Sequence, residues 1–189
     1  MSISNEQCLK DANFIYNSVK KIGKQPFSVE TVEATLKSFT NLVEKYNAAG
    51  MVSAAYSMEL FFRPSNLLRS AIKKKNSDMM YYFMEKYPGS LCWGLGVTAI
   101  EVKNTEALKS VLAIGLEKQH MEYLVKHENM KIYPEAALAL VAGGADPTMV
   151  GKKMLYDSFN RLCPEEWKIL CIKLIEAGAS EKSLERYWS

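Results

Sequence analysis

The chain has 189 residues, 48% hydrophobic and 24% charged, which fits one globular domain and excludes a disordered chain. Its 24 Lys and Arg against 21 Asp and Glu leave +3, too even to argue for nucleic acid from net charge. No uninterrupted apolar run reaches the roughly 18 residues of a membrane span. The opening stretch MSISNEQCLKDANF has neither the basic nor the apolar region of a secretory signal.

Helical spacing dominates in chain order. Ser4 and Gln7 have capping-box spacing, and Leu9, Ala12, Ile15, Tyr16, Val19 and Ile22 then recur at three and four until Gly23. Ser28 opens a second helix with a stripe from Val29 to Tyr46, stopped near Asn47–Gly50, and a shorter apolar helix covers 51–62. From Asn66 the helices become short and paired: 66–75 with 77–87, 96–103 with 105–114, 118–126 with 134–142, and 152–162 with 164–177. Asn76 and Asn104 mark two joints, and Pro134 and Pro164 suit first helical positions. No run shows the sustained alternation of a strand.

The ends of the second helices are self-similar. Phe83–Tyr87, Val111–Gly115, Leu140–Gly144 and Leu174–Gly178 start 28, 29 and 34 residues apart, a spacing in the range of stacked helical repeats. Leu140-Val141-Ala142-Gly143-Gly144-Ala145-Asp146-Pro147 resembles the second-helix ending L-L-x-x-G-A-D-P of the ankyrin-repeat family, and Leu174 to Ser180 is nearly as close. Leu68-Arg69-Ser70-Ala71-Ile72 stands where the family has L-H-x-A-A, and Gly96 to Ile100 matches it more loosely. No repeat carries an intact T-P-L-H, and the first ends in Tyr87-Pro88 instead of Gly-Ala.

The resemblance implies an all-α fold: an α-solenoid of stacked, ankyrin-like helical hairpins over 63–189, with residues 1–62 as an N-terminal helical cap in one continuous domain. In such a stack, Ala71 and Ala99 are small because a neighbour's backbone passes close. Gly144 and Gly178 adopt the left-handed conformation that turns the chain outward. The resemblance also implies a non-enzymatic protein-interaction module: an adaptor, an inhibitor, or a host-targeting effector of the kind found among bacterial effectors and viral host-range factors. Its contact surface would comprise Arg69, Lys73, Val97 and Glu101 from first helices, and Trp93, Gln119 and His120 from finger loops. Trp93 either folds back onto the stack or anchors a partner, and Trp188 is equally open. The charged tail from Ser180 reads as a polar cap, with a translocation signal as the alternative.

Chemistry is sparse beside this. Cys8, Cys92, Cys163 and Cys171 are irregularly spaced without a C-x-x-C, and read as reduced thiols in a cytoplasmic protein, or in host cytoplasm if it is translocated. Cys92 with His120 is the one pair for a Cys-dependent hydrolase, without a local orienting carboxylate. His120 and His127, near Glu122 and Glu128, make a weak metal argument, and no cofactor is expected. Gly94-Leu95-Gly96 lacks the context of a phosphate loop and reads as a hinge. Lys73-Lys74-Lys75 and Lys152-Lys153 read first as solvated helix ends, with a nucleic-acid or phosphoinositide patch as the alternative, so nucleic acid ranks below a protein partner. The methionines, Met79 and Met80 among them, read as core filling.

Overall fold

The computed structural model describes residues 3–23, 26–126, 131–158 and 163–185, and every regular element among them is helical. Contacts divide the chain into two compact units, Met1–Leu91 and Cys92–Ser189. The first holds α1 (Asn5–Ile22), α2 (Val29–Ala48), α3 (Val52–Phe61), α4 (Pro64–Lys74) and α5 (Ser77–Lys86), then a single 3-10 turn at Pro88–Ser90. The second holds α6 (Trp93–Glu101), α7 (Thr105–Leu112), α8 (Lys118–Lys126), α9 (Pro134–Ala142), α10 (Pro147–Ser158), α11 (Pro164–Glu176) and α12 (Glu181–Leu184). No helix among the described residues is long and apolar enough to cross a membrane.

In the first unit, α2 packs on α1 and α3, and α4 packs on α3 and α5. The boundary placed at 62/63 from sequence lies inside this unit. Ser4 and Ser28 cap α1 and α2, their hydroxyls accepting the backbone N–H of Gln7 and Thr31, each at 3.2 Å. The Gln7 side chain does not complete the capping box. Its amide donates instead to Asp11 Oδ1 at 2.9 Å. Phe39, Tyr46, Met58, Leu68, Met79, Met80 and Phe83 are the buried centre. Of the consecutive Tyr81, Tyr82 and Phe83, only Phe83 reaches it fully. The fully buried Tyr46 donates its hydroxyl to Asp11 Oδ2 at 2.9 Å.

In the second unit, α6 packs on α7 and α8, α8 on α10, and α10 on α12. α7 packs on α9 and α9 on α11, while α10 lies against both α9 and α11. The neighbours therefore fall into two rows, α6–α8–α10–α12 and α7–α9–α11, with Leu95, Ala99, Leu108, Leu124, Ala137, Leu140, Val150, Met154, Leu170 and Leu174 buried within them. α9 is apolar on nearly every face, with Glu135 its one charge, as suits a helix flanked by three others.

Two kinds of turn recur. Gly144 (φ +98°) and Gly178 (φ +99°) close α9 and α11 with the same pair of hydrogen bonds. The glycine N–H bonds three residues back, to Val141 or Ile175, and the next N–H five back, from Ala145 to Leu140 and from Ala179 to Leu174. This is the Schellman arrangement, whose left-handed residue carries no penalty when it is glycine. α4 and α6 end in the same two bonds, but there the left-handed residues are Lys75 and Lys103, both at φ 53°. Asn76 and Asn104, read from sequence as the turn residues, instead cap α5 and α7 by accepting the N–H of Met79 and Ala107 at 3.1 Å. The motif Ala-Ile-x-x-Lys-Asn-(Ser/Thr)-(Asp/Glu) thus occurs at 71–78 and at 99–106. Ala71 and Ala99 are fully buried.

Several expected loops are helix. α6 begins at Trp93, three residues before the expected start, because Cys92 takes the extended N-cap conformation (φ −148°, ψ 161°). Gly94-Leu95-Gly96 is therefore the first turn of a helix and not a hinge. Gly96 is buried, and a Cβ there would lie 3.1 Å from Leu124 Cδ1, so glycine serves the approach of α8. α10 begins at Pro147 and not at Lys152, because the Asp146 carboxylate accepts from Thr148 N at 2.8 Å and Met149 N at 3.2 Å. His127, Glu128, Arg161, Trp188 and the tail from 186 lie outside the described residues.

Candidate functional site

Five of the seven residues expected at a contact surface belong to the second unit, and one cluster forms among them. The close approach of α6 and α8 through Gly96 and Leu124 brings the first turn of α6 alongside the middle of α8. Trp93, at the start of α6, lies edge-on to Tyr123 at 4.5 Å between ring centroids and parallel to His120 at 6.3 Å. Trp93 and His120 are half-buried and Tyr123 is 44% exposed. This patch of three rings stays partly open to solvent, with the exposed Cys92 beside it. Tyr123 was not singled out from sequence. It lies three residues after His120 on a helix whose inner face is Met121, Leu124 and Val125, so the helical period alone places it with His120 on the outer side.

Trp93 thus folds back onto the neighbouring helix while keeping an exposed part. Trp93, Gln119 and His120 sit on helices, not in finger loops: α6 reaches back to Trp93, and Gln119 and His120 lie in α8, within the span 118–126 that the sequence itself reads as helical. Val97, one turn beyond Trp93, is half-buried, and Glu101 is exposed at the far end of α6, about 12 Å along the axis. Gln119 is exposed and donates its amide to Glu117 Oε2 at 2.6 Å. Arg69 and Lys73 are exposed side chains of α4 in the first unit.

The charges around the rings are modest. His120 Nδ1 lies 4.0 Å from Glu117 Oε2, beyond hydrogen-bond reach. Lys126, 3.0 Å from Glu122, holds that exposed carboxyl below its ordinary value through a hydrogen bond and its charge. All four cysteines are free thiols: Cys171 is buried, Cys8 half-buried, and Cys92 and Cys163 exposed. Burial pushes the Cys171 thiol up to about 11. Among the described residues no hydrogen bond joins the exposed Cys92 to His120. Among the described residues, likewise, no three His, Cys, Asp or Glu side chains could hold a metal ion together.

On the other row, an open groove of about 770 Å³ runs between α7 and α9, floored by Leu112, Leu138, Ala139 and Ala142 and edged by Lys109 and Glu135. A smaller one of about 230 Å³ follows between α9 and α11. Both are shallow. Comparison with known proteins finds no matching family model, no matching curated protein and no matching solved structure.

Proposed function

We propose that the chain is a non-enzymatic protein-interaction module whose second unit is an ankyrin-like stack of helical hairpins. Its partner protein docks on the face formed by α6 and α8. The observation that carries this reading is the half-exposed cluster of Trp93, His120 and Tyr123, set on rigid helices of one row. Tryptophan and tyrosine are the residues most enriched where a few side chains carry most of the binding energy. Here they are held before any partner arrives, so little ordering entropy is lost on docking. The paired glycine closures of α9 and α11 support the repeat reading, since equivalent helices end in equivalent turns. Four free thiols suit a reducing compartment such as the cytoplasm.

The test is affinity capture from lysate with the full chain and with Trp93→Ala and Tyr123→Ala, read by quantitative mass spectrometry. A protein held by the wild type should be held about 5–30-fold more weakly by either variant. Because Trp93 packs on α8, Trp93→Ala also lowers stability by about 1–2 kcal/mol, so circular dichroism must show both variants folded. Capture unchanged by either substitution overturns the reading.

A further inference from the structure

The positive charge of the chain belongs to its first unit. Residues 1–91 contain twelve Lys and Arg against eight Asp and Glu, and residues 92–189 contain twelve against thirteen. Six of the twelve gather where two helices end: Lys20 and Lys21 on α1, Arg69, Lys73 and Lys74 on α4, and Lys75, which closes α4. α1 closes at Gly23, which is buried against α4. A Cβ there would lie 3.0 Å from Ser70 Oγ and 3.4 Å from Lys74 Cγ. The last turn of α1, with Lys20 and Lys21, therefore abuts the last turns of α4. All six cations are exposed, and none forms an ion pair among the described residues. The helix dipoles offset part of the repulsion, and among the described residues no carboxylate lies within ion-pair distance of the six.

An apolar strip adjoins this cluster. Lys20 Nζ lies 4.1 Å from the Tyr16 ring centroid, and the same ring meets Phe61 at 5.7 Å. Leu9 lies two turns before Tyr16 on the same flank of α1, and Leu9, Tyr16 and Phe61 are 66%, 42% and 39% exposed. Tyr16 is engaged by Lys20 and Phe61, which leaves it a poor platform for stacking a nucleobase. An aliphatic side chain such as Leu9 has no use against a phosphodiester backbone. Exposed aromatic and aliphatic groups beside unpaired lysines instead match the boundary between headgroups and acyl chains.

We propose that this face of the first unit docks on an anionic bilayer. Lys20, beside Tyr16, and the lysines that end α4 meet headgroup phosphates and carboxylates, and Leu9, Tyr16 and Phe61 rest at the upper acyl boundary. The chain lies on the membrane, since no described helix can span one.

Co-sedimentation of the full chain with phosphatidylcholine vesicles, with and without phosphatidylserine, tests this. Binding should require phosphatidylserine and weaken with added salt. Lys73→Glu with Lys74→Glu should reduce it at least about thirtyfold, and Lys20→Gln with Lys21→Gln gives an independent second variant on α1. Leu9→Ser should reduce binding about threefold or more, and Lys152→Glu with Lys153→Glu in the second unit should leave it unchanged. Binding indifferent to phosphatidylserine, an equal loss in the Lys152/Lys153 variant, or preference for duplex DNA or RNA with Leu9→Ser silent would each overturn the proposal.

Discussion

Gly144 and Gly178 offer a matched pair of perturbations. Both sit at φ near +98°, and a Cβ built on either finds no atom within 4 Å. Alanine at either position therefore meets no steric neighbour, and its whole cost is backbone strain, about 1–2 kcal/mol in this region for a residue bearing a Cβ. The hydrogen bonds around the two glycines are the same, from 2.8 to 3.0 Å. Gly144→Ala and Gly178→Ala should then lose equal stability, within about 0.5 kcal/mol of one another. Urea unfolding followed by far-ultraviolet circular dichroism measures this, with an unchanged denaturant slope as the sign that only the native state has moved. For a chain of this size each kcal/mol lowers Tm by about 2–4 °C. Valine, branched at Cβ, should cost more than alanine at both sites. If either alanine variant is neutral, or the two differ by more than about 1 kcal/mol, α9 and α11 do not end in equivalent turns and the repeat reading loses its main support.

Lys103→Gly should have the opposite sign, stabilising by about 0.5–1 kcal/mol, because it relieves left-handed strain at φ 53° at the cost of some unfolded-state entropy; urea titration reads it. Asn104→Ala removes the cap of α7 and should cost about 1–2 kcal/mol by the same titration. Alkaline pH should destabilise both units. Burial, then the hydrogen bond to Asp11, holds the Tyr46 hydroxyl well above its ordinary 10.0, and burial moves Cys171 from 9.0 to about 11. Because the native state holds these protons more tightly, their contributions are complete below the unfolded values and fade as pH climbs through the folded ones. Stability should therefore fall from about pH 9 upward, and Cys171→Ala should flatten the part of that slope below about pH 11. Tyr46→Phe should cost about 1–2 kcal/mol at neutral pH through the lost bond to Asp11.

What sequence could reveal followed the range of the cause. Short-range chemistry was legible. Ser4 and Ser28 cap through their own hydroxyls, Pro134 and Pro164 start helices, and residues 118–126 and 134–142 are helical at the expected bounds. The left-handed closures at Gly144 and Gly178 follow from glycine's freedom alone. The start of α6 was hidden because glycine at 94 and 96 argues against helix, and only packing against Leu124, far along the chain, overrides that propensity. The Trp93–His120 contact joins residues on different helices, which periodicity within one helix cannot pair. Convergence of α1 and α4 was hidden for the same reason: Lys73-Lys74-Lys75 alone is a solvated helix end, and Lys20 and Lys21 become its neighbours only through Gly23 and Ser70.

The two Lys-Asn turns also show which of those lysines the fold requires. At 71–78 and 99–106 the chain follows the same hydrogen bonds through Ala, Ile, a left-handed Lys and a capping Asn, yet Lys73-Lys74 in one stands where Glu101-Val102 stands in the other. A turn that forms over Glu-Val does not require Lys-Lys, although the dipole of α4 favours cations in its last turn. Transplanting the second pair onto the first, Lys73→Glu with Lys74→Val, should therefore keep the stability of the first unit within about 0.5 kcal/mol while removing most binding to phosphatidylserine vesicles. A large loss of stability would assign the lysines to the turn, and undiminished vesicle binding would show that they do not face a membrane.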